Sequence, residues 1–161
     1  ACCGHIPVSV FGGFASGGDS SGVRGAIRRM LQAKQEGNSA FAKGRYEEAV
    51  TCYSEALRHV EAGEVSDEAL SVEDAAEVAK VLANQAECHL RLGQAEAAEE
   101  ASRQALAYDE GNRKARYRRA KALQHLGRLT EAIEELEGSD AGKEGKQLLC
   151  DLRASRGDWP E

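Results

Sequence analysis

A spacing of 34 residues constrains this chain more than any other feature. Gly93 and Gly127 stand 34 apart, as do Ala98 and Ala132. One unit earlier, Gly44, Ala49 and Ala56 precede Gly93, Ala98 and Ala105 by 49, the same period with a 15-residue insertion. A fixed period of this size belongs to stacked repeats, in which no unit buries its apolar face alone. Each unit reads as two helices. The first ends at Gly44, Gly93 or Gly127, because glycine accepts the left-handed backbone that closes a helix. The second follows at once, with alanines where helices must approach closely and large apolar residues three and four apart, as one helical face requires. The expected fold is all-α, within the single domain natural for 161 residues.

The spacing predicts helices over about 23–43, 46–61, 72–92, 95–108, 112–126 and 129–137. Residues 1–21 are Gly- and Ser-rich without periodicity and read as a flexible leader or linker. Asp19, Ser20 or Ser21 can cap the first helix. Its early apolar residues Val23, Ile27, Met30 and Leu31 share one face, for packing on the stack or on a neighbour outside it. Residues 62–73 hold the insertion, and Ser71 followed by Asp74 resembles a capping box. A last helix over about 141–154, with Leu148, Leu149 and Leu152 on one side, reads as the cap that hides the final apolar face. The domain so defined runs over 22–155, with repeats at about 30–63, 79–112 and 113–140. Residues 156–161 form a tail, in which Trp159-Pro160 folds back or leads into a further domain.

The quoted residues resemble the tetratricopeptide repeat. The first unit carries Gly37-Asn38-Ser-Ala-Phe41-Ala-Lys-Gly44-Arg-Tyr46-Glu-Glu-Ala49, then Tyr53 and Ala56-Leu57. The second runs from Asn84-Gln-Ala86 through Leu90-Arg-Leu92-Gly93 to Ala105-Leu106 and Asp109; the third opens on Lys114-Ala-Arg-Tyr117-Arg118-Arg-Ala120 and stops early after Leu136. The family's proline near each repeat end is missing, with Glu110 in its place. The resemblance covers about residues 30–137. It implies a right-handed superhelical stack of three helix-turn-helix repeats plus a capping helix, whose first helices line a concave groove.

Several function classes drop out. The net charge of −6 opposes nucleic acid as a general partner. No run of 18 apolar residues occurs, so no membrane span is expected. Cys2, Cys3, Cys52, Cys88 and Cys150 form no CxxC pair, and His5, His59, His89 and His125 lack metal-ligand spacing, so neither metal nor cofactor is expected. An odd, scattered set of thiols fits a reducing compartment, with cysteines serving as small core residues. The Gly12–Ser20 run lacks the lysine of a phosphate loop, and Ser16 lacks the first glycine of a nucleophile elbow. With no paired nucleophile and base, a non-enzymatic chain is expected.

Against that acidic background five donors stand out. Lys34 and Asn38 lie one turn apart on one predicted helix, Lys114 and Arg118 one turn apart on another, and Asn84 on the helix between. Phe41, Arg91 and Lys121 lie on the same faces, one turn along. Ammonium, guanidinium and amide donors on a rigid surface suit the paired carboxylates of a peptide ending in an acidic residue. The resemblance is closest to co-chaperone domains that grip the C-terminal aspartate of a tail ending Glu-Glu-Val-Asp. It implies that Lys34, Asn38 and Asn84 hold the terminal carboxylate. Lys114 and the first-unit residues would share the aspartate side chain, and Arg118 would reach an upstream carboxylate or carbonyl. Phe41 would pack the valine, with Arg91 and Lys121 adding positive potential. The implied partner is the tail of a 90-kDa or 70-kDa heat-shock chaperone, in the cytoplasm, or in an organelle if Ala1 is a processed start. The insertion is similar to that in large immunophilins and in myosin-chaperone or outer-membrane import relatives, where a catalytic or client-binding domain flanks the repeats. The alternative is a structural scaffold with the groove unused, or occupied by the chain's own acidic Asp158-Trp-Pro-Glu161.

Overall fold

The computed structural model describes residues 20–61, 70–137 and 142–157. The leader with Cys2 and Cys3, the insertion loop over 62–69 and the tail with Trp159-Pro160 lie outside the described residues. Within them the chain forms α1 (Ser20–Ala42), α2 (Tyr46–Glu61), α3 (Val72–Arg91), α4 (Ala95–Tyr108), α5 (Arg113–His125), α6 (Leu129–Glu137) and α7 (Gly142–Arg156). Two expected limits shift. Ser20 and Ser21 belong to the first helix, and the last helix runs two residues past Ala154. Neither stretch contains a residue that stops a helix, so turns continue as far as packing and backbone hydrogen bonds allow.

The 34-residue period has a direct geometric cause. Gly44, Gly93 and Gly127 take φ values of 74°, 73° and 73°. Beyond each, the next amide reaches back five residues: Arg45 N–H to Ala40 O at 3.0 Å, Gln94 N–H to His89 O at 2.9 Å and Arg128 N–H to Leu123 O at 2.9 Å. These bonds satisfy carbonyls the helix end would otherwise orphan, and they turn the chain straight into the second helix of the pair. The starts are capped as well. Ser71 accepts from Asp74 N–H at 3.1 Å and donates to its carboxylate at 2.9 Å, and Asn112 accepts from Ala115 N–H at 3.1 Å. Where the family keeps its proline, Asp109 accepts from Gly111 N–H at 3.0 Å and bends the chain without it.

Consecutive helices pair as α1–α2, α3–α4 and α5–α6, and α7 packs on α5 and α6. The first helices also touch one another, α1 to α3 and α3 to α5, so they share one face of the stack. The repeat alanines make this packing possible. Ala49, Ala56, Ala98, Ala105 and Ala132 are all fully buried. Gly37 faces the Tyr53 ring so closely that a Cβ there would lie 2.6 Å from it. Met30 is fully buried and Ile27 and Leu31 pack partly against the same core, so the early turns of α1 belong to the stack.

A second cluster joins Leu123, Ile133 and Leu136 to Leu148 and Leu152, with Leu149 at its edge, as a capping helix requires. Burying each such leucine contributes about 1.5–3 kcal/mol. Arg119 ties the layers together, reaching Glu99 on α4 at 3.1 Å and Glu135 on α6 at 2.5 Å. The described cysteines follow no single rule: Cys88 is buried, Cys52 half-buried and Cys150 exposed.

Candidate functional site

The face shared by α1, α3 and α5 carries the predicted residues. Asn38 and Asn84 meet across the α1–α3 seam, where Asn84 Nδ2 donates to Asn38 Oδ1 at 3.2 Å. Tyr53, reaching over from α2, donates its hydroxyl to the same oxygen at 2.7 Å. These three side chains line a 180 Å³ cavity together with Phe41, Glu87 and Arg118. A larger hollow of 620 Å³ adjoins it through Phe41, Glu87 and Arg118; Arg91, Arg113, Lys114, Lys121 and Lys143 make its wall mainly cationic, with Tyr117 and the carboxylate Glu144 also lining it. Phe41 stands between the two and meets the Tyr46 ring edge-on, with centroids 5.4 Å apart. Seven of the eight predicted residues therefore line one of two connected cavities. Lys34 does not line either, but lies one turn before Asn38 on α1.

Two carboxylates of α3, Glu77 and Glu87, occupy the same face. Lys34 Nζ is 2.6 Å from Glu77, which also holds Lys80 at 2.6 Å. Arg118 Nε is 3.1 Å from Glu87, which also takes Arg91 at 2.9 Å. The lysine hydrogen bonds hold the Glu77 carboxyl below its ordinary value. Burial pushes Glu87 up, but the hydrogen bonds and charges of Arg91 and Arg118 overcome it and leave that carboxyl below the usual range too. Both glutamates are thus anions near neutral pH, and they moderate the potential that five free donors would have given. The repeat register marks Glu87: it follows Asn38 by 49 and precedes Lys121 by 34, so it occupies the same groove-facing position in its unit. Glu77 falls seven residues before Asn84, on the same side of α3.

Lys114 and Lys121 have no ion-pair partner among the described residues. Arg118 retains one nitrogen, Nη1, that is buried and has no hydrogen-bond partner among the described residues. A buried donor left unpaired costs about 1–3 kcal/mol, so a ligand oxygen or water bound there recovers that loss. Cys88 lies buried behind this wall on α3, and burial first and the Glu87 charge second push its thiol up to about 11. It is therefore a protonated packing group near neutral pH. Among the described residues no cluster of His, Cys, Asp or Glu could hold a metal ion, and no helix is long and apolar enough to cross a membrane.

Paired helices closed by left-handed glycines, stacked so that every first helix presents polar side chains to one groove, define a helical-repeat interaction domain. The chain belongs to the tetratricopeptide repeat family, whose sequence profiles match residues 34–101 and 89–144 and together span more than half of it. Among individual proteins, it is 33% identical over 138 residues to the DnaJ homolog subfamily C member 7 homolog of Schizosaccharomyces pombe, covering 81% of this chain and 27% of that protein. It is 36% identical over 113 residues to the unc-45 homolog B protein of Mus musculus, covering 70% of this chain and 11% of that protein. The chain thus spans about a quarter or less of these relatives' own lengths. Among solved structures, it is similar to the second repeat domain of human RPAP3 in complex with the HSP70 peptide SGPTIEEVD. That match has a TM-score of 0.64 and 29% identity, over 80% of this chain and 98% of that one.

Proposed function

We propose that this domain is a non-enzymatic docking module. Its groove holds the free C-terminus of an acidic tail of the Glu-Glu-Val-Asp type, carried by a 70-kDa or 90-kDa heat-shock chaperone. The observation that carries this reading is the convergence of Asn38, Asn84 and Arg118 on one small cavity, next to a wider one lined by Lys114 and Lys121. A terminal acidic residue presents two carboxylates within a few ångströms. The amides and Lys34 suit the main-chain carboxylate, Lys114 suits the side chain, and Arg118 suits an oxygen further upstream. Phe41, between the cavities, offers an apolar surface to the preceding valine. Similarity to a domain solved with a peptide ending in EEVD supports the same assignment. Charge-assisted hydrogen bonds contribute about 1.5–3 kcal/mol each, partly offset by ordering a short peptide, so the expected affinity is micromolar, roughly −7 to −8 kcal/mol. A cytoplasmic location and a further catalytic or client-binding domain accord with this reading.

Titration with an acidic pentapeptide ending Glu-Glu-Val-Asp, beside its C-terminally amidated twin, tests the proposal. Micromolar binding of the free acid with loss for the amide is the expected result. Equal binding of the two, or of neither, removes the carboxylate from the recognition. The scaffold alternative would then lead, with the groove unused or filled by residues 158–161, which lie outside the described residues.

A further inference from the structure

We infer that Tyr53 is a positioning residue: its hydroxyl, reaching the groove from the second helix of the first unit, decides which atom of Asn38 faces a ligand. The inference rests on the carboxylate-binding reading for its consequence, though not for its geometry.

Asn38 sits on the exposed side of α1, and its amide can present either an oxygen or an NH2 group to the groove. Only the NH2 group can donate to a carboxylate. Two donors compete for the Asn38 oxygen from behind: the Tyr53 hydroxyl at 2.7 Å and Asn84 Nδ2 at 3.2 Å. With both bonds in place the oxygen's two lone pairs are used, and Nδ2 is left without a partner among the described residues. A flipped amide would set Nδ2 against the Asn84 donor and forfeit that bond; the Tyr53 oxygen could accept from Nδ2, but the buried phenolic proton would lose the Asn38 oxygen as its acceptor. The shorter bond is the one from Tyr53.

Three observations hold this hydroxyl beside Asn38 as a protonated group. The ring is 1% exposed and packs on the bare backbone of Gly37, one residue before Asn38. Burial first, and then the neighbouring Cys88, push the phenol up to about 12, so it keeps its proton through the physiological range. The repeat register also pairs the two groups. Residues corresponding to Tyr53 are Ser102 in the second unit and Leu136 in the third, while those corresponding to Asn38 are Glu87 and Lys121. Where the amide is absent the tyrosine hydroxyl is absent too. The Ser102 hydroxyl that stands in its place is buried without a partner among the described residues, so a polar group at this position does not by itself find the groove. Tyr53 therefore combines a ring that α1–α2 packing requires with a hydroxyl that donates to Asn38 and also lies within reach of Asn84.

Tyr53→Phe keeps the ring and deletes the bond. From the net worth of one buried hydrogen bond, the free-acid peptide should bind about five-fold more weakly. The amidated twin should change little, and the melting midpoint should fall by only a few degrees. In an Asn38→Ala background the same substitution should cost nothing more, because the group it positions is gone. The side-chain amide resonances of Asn38 in 15N-labelled, peptide-free protein should move on Tyr53→Phe. Unchanged affinity and unchanged Asn38 resonances would overturn the inference and leave carboxylate binding intact. An undiminished loss in the Asn38→Ala background, or an equal loss for acid and amide, would assign Tyr53 to packing alone and overturn it as well. A wild-type chain that binds neither peptide, yet whose Asn38 resonances respond to Tyr53→Phe, would overturn the carboxylate reading and leave the positioning in place.

Discussion

Two side-chain clusters meet on α3 within one turn of each other, and they are built differently. Around Asn84, the groups are neutral: two amides and a buried phenol, held by the number of donors and lone pairs each can offer. Around Glu87, the groups are charged: two guanidiniums share one carboxylate, with lysines beyond. Hydrogen-bond valence ties the first cluster together and is insensitive to salt. Charge balance sets the second, so its potential can be tuned without moving an atom, and its exposed members are screened within about 8 Å at physiological ionic strength. The neutral cluster is thus suited to orienting a carboxylate and the charged one to attracting it. Substitutions in the two should fail in different ways.

The largest expected effect is at the charged cluster. Lys114 is exposed and has no ion-pair partner among the described residues, so Lys114→Glu should leave the fold unharmed. It replaces attraction with repulsion beside the bound terminus, where like charges cost several kcal/mol. Affinity for the free-acid tail should fall about a hundred-fold, roughly 2.7 kcal/mol, by calorimetric titration, with the melting curve unchanged. Retained binding would mean that the charged cluster does not face the ligand, and the division of labour would collapse.

The neutral cluster should break through packing instead. Gly37 stands where Ala86 and Ala120 stand in the later units, because only the first unit places a tyrosine ring against that backbone. Gly37→Ala forces a methyl to 2.6 Å from the Tyr53 ring. Overpacking of this kind costs about 1–3 kcal/mol, against which the gain in helix propensity from alanine, about 1 kcal/mol, works in the opposite direction. We expect a net loss of about 1 kcal/mol in denaturant unfolding, together with weaker tail binding as Tyr53 shifts away from Asn38. Unchanged stability with unchanged binding would show that the ring has room to move and that the neutral cluster is not fixed.

The difference between the clusters also explains what could be read in the chain beforehand. Period, glycine caps and apolar spacing are one-dimensional signals, and they placed six of the seven described helices within about three residues and the seventh, the capping helix, within two. The candidate groove donors are read from a different signal, four-residue spacing on successive first helices, since they do not share one register position: Asn38 corresponds to Glu87 and Lys121. Three partners carry weaker signals. Tyr53 belongs to a second helix and reads as a core residue, which its ring is; the extra duty of its hydroxyl depends on a contact over the shoulder of α1. Glu77 and Glu87 look like solvated acids in a chain with 27 of them. Yet Glu87 occupies the register of Asn38 and Lys121, so superposing the units would have put it in the groove.

Glu87 gives the subtlest test of the comparison. Its carboxylate holds Arg118 and Arg91 at 3.1 and 2.9 Å, and two opposed consequences follow. As a strut it keeps Arg118 in place for a ligand; as an anion it opposes the ligand's own carboxylates. Glu87→Gln separates the two, because the amide still offers an oxygen to the guanidiniums while the charge is gone. In wild type the depressed carboxyl stays ionised well below neutral pH, so the anion is present under any ordinary assay. If the charged cluster acts mainly through potential, Glu87→Gln should tighten free-acid binding about three-fold, roughly 0.7 kcal/mol, and the gain should shrink as salt is raised. Weaker binding at all salt concentrations would show that Glu87 orients Arg118 as strictly as Tyr53 orients Asn38. Both clusters would then be positioning devices, and the attraction would fall to Lys114 and Lys121 alone.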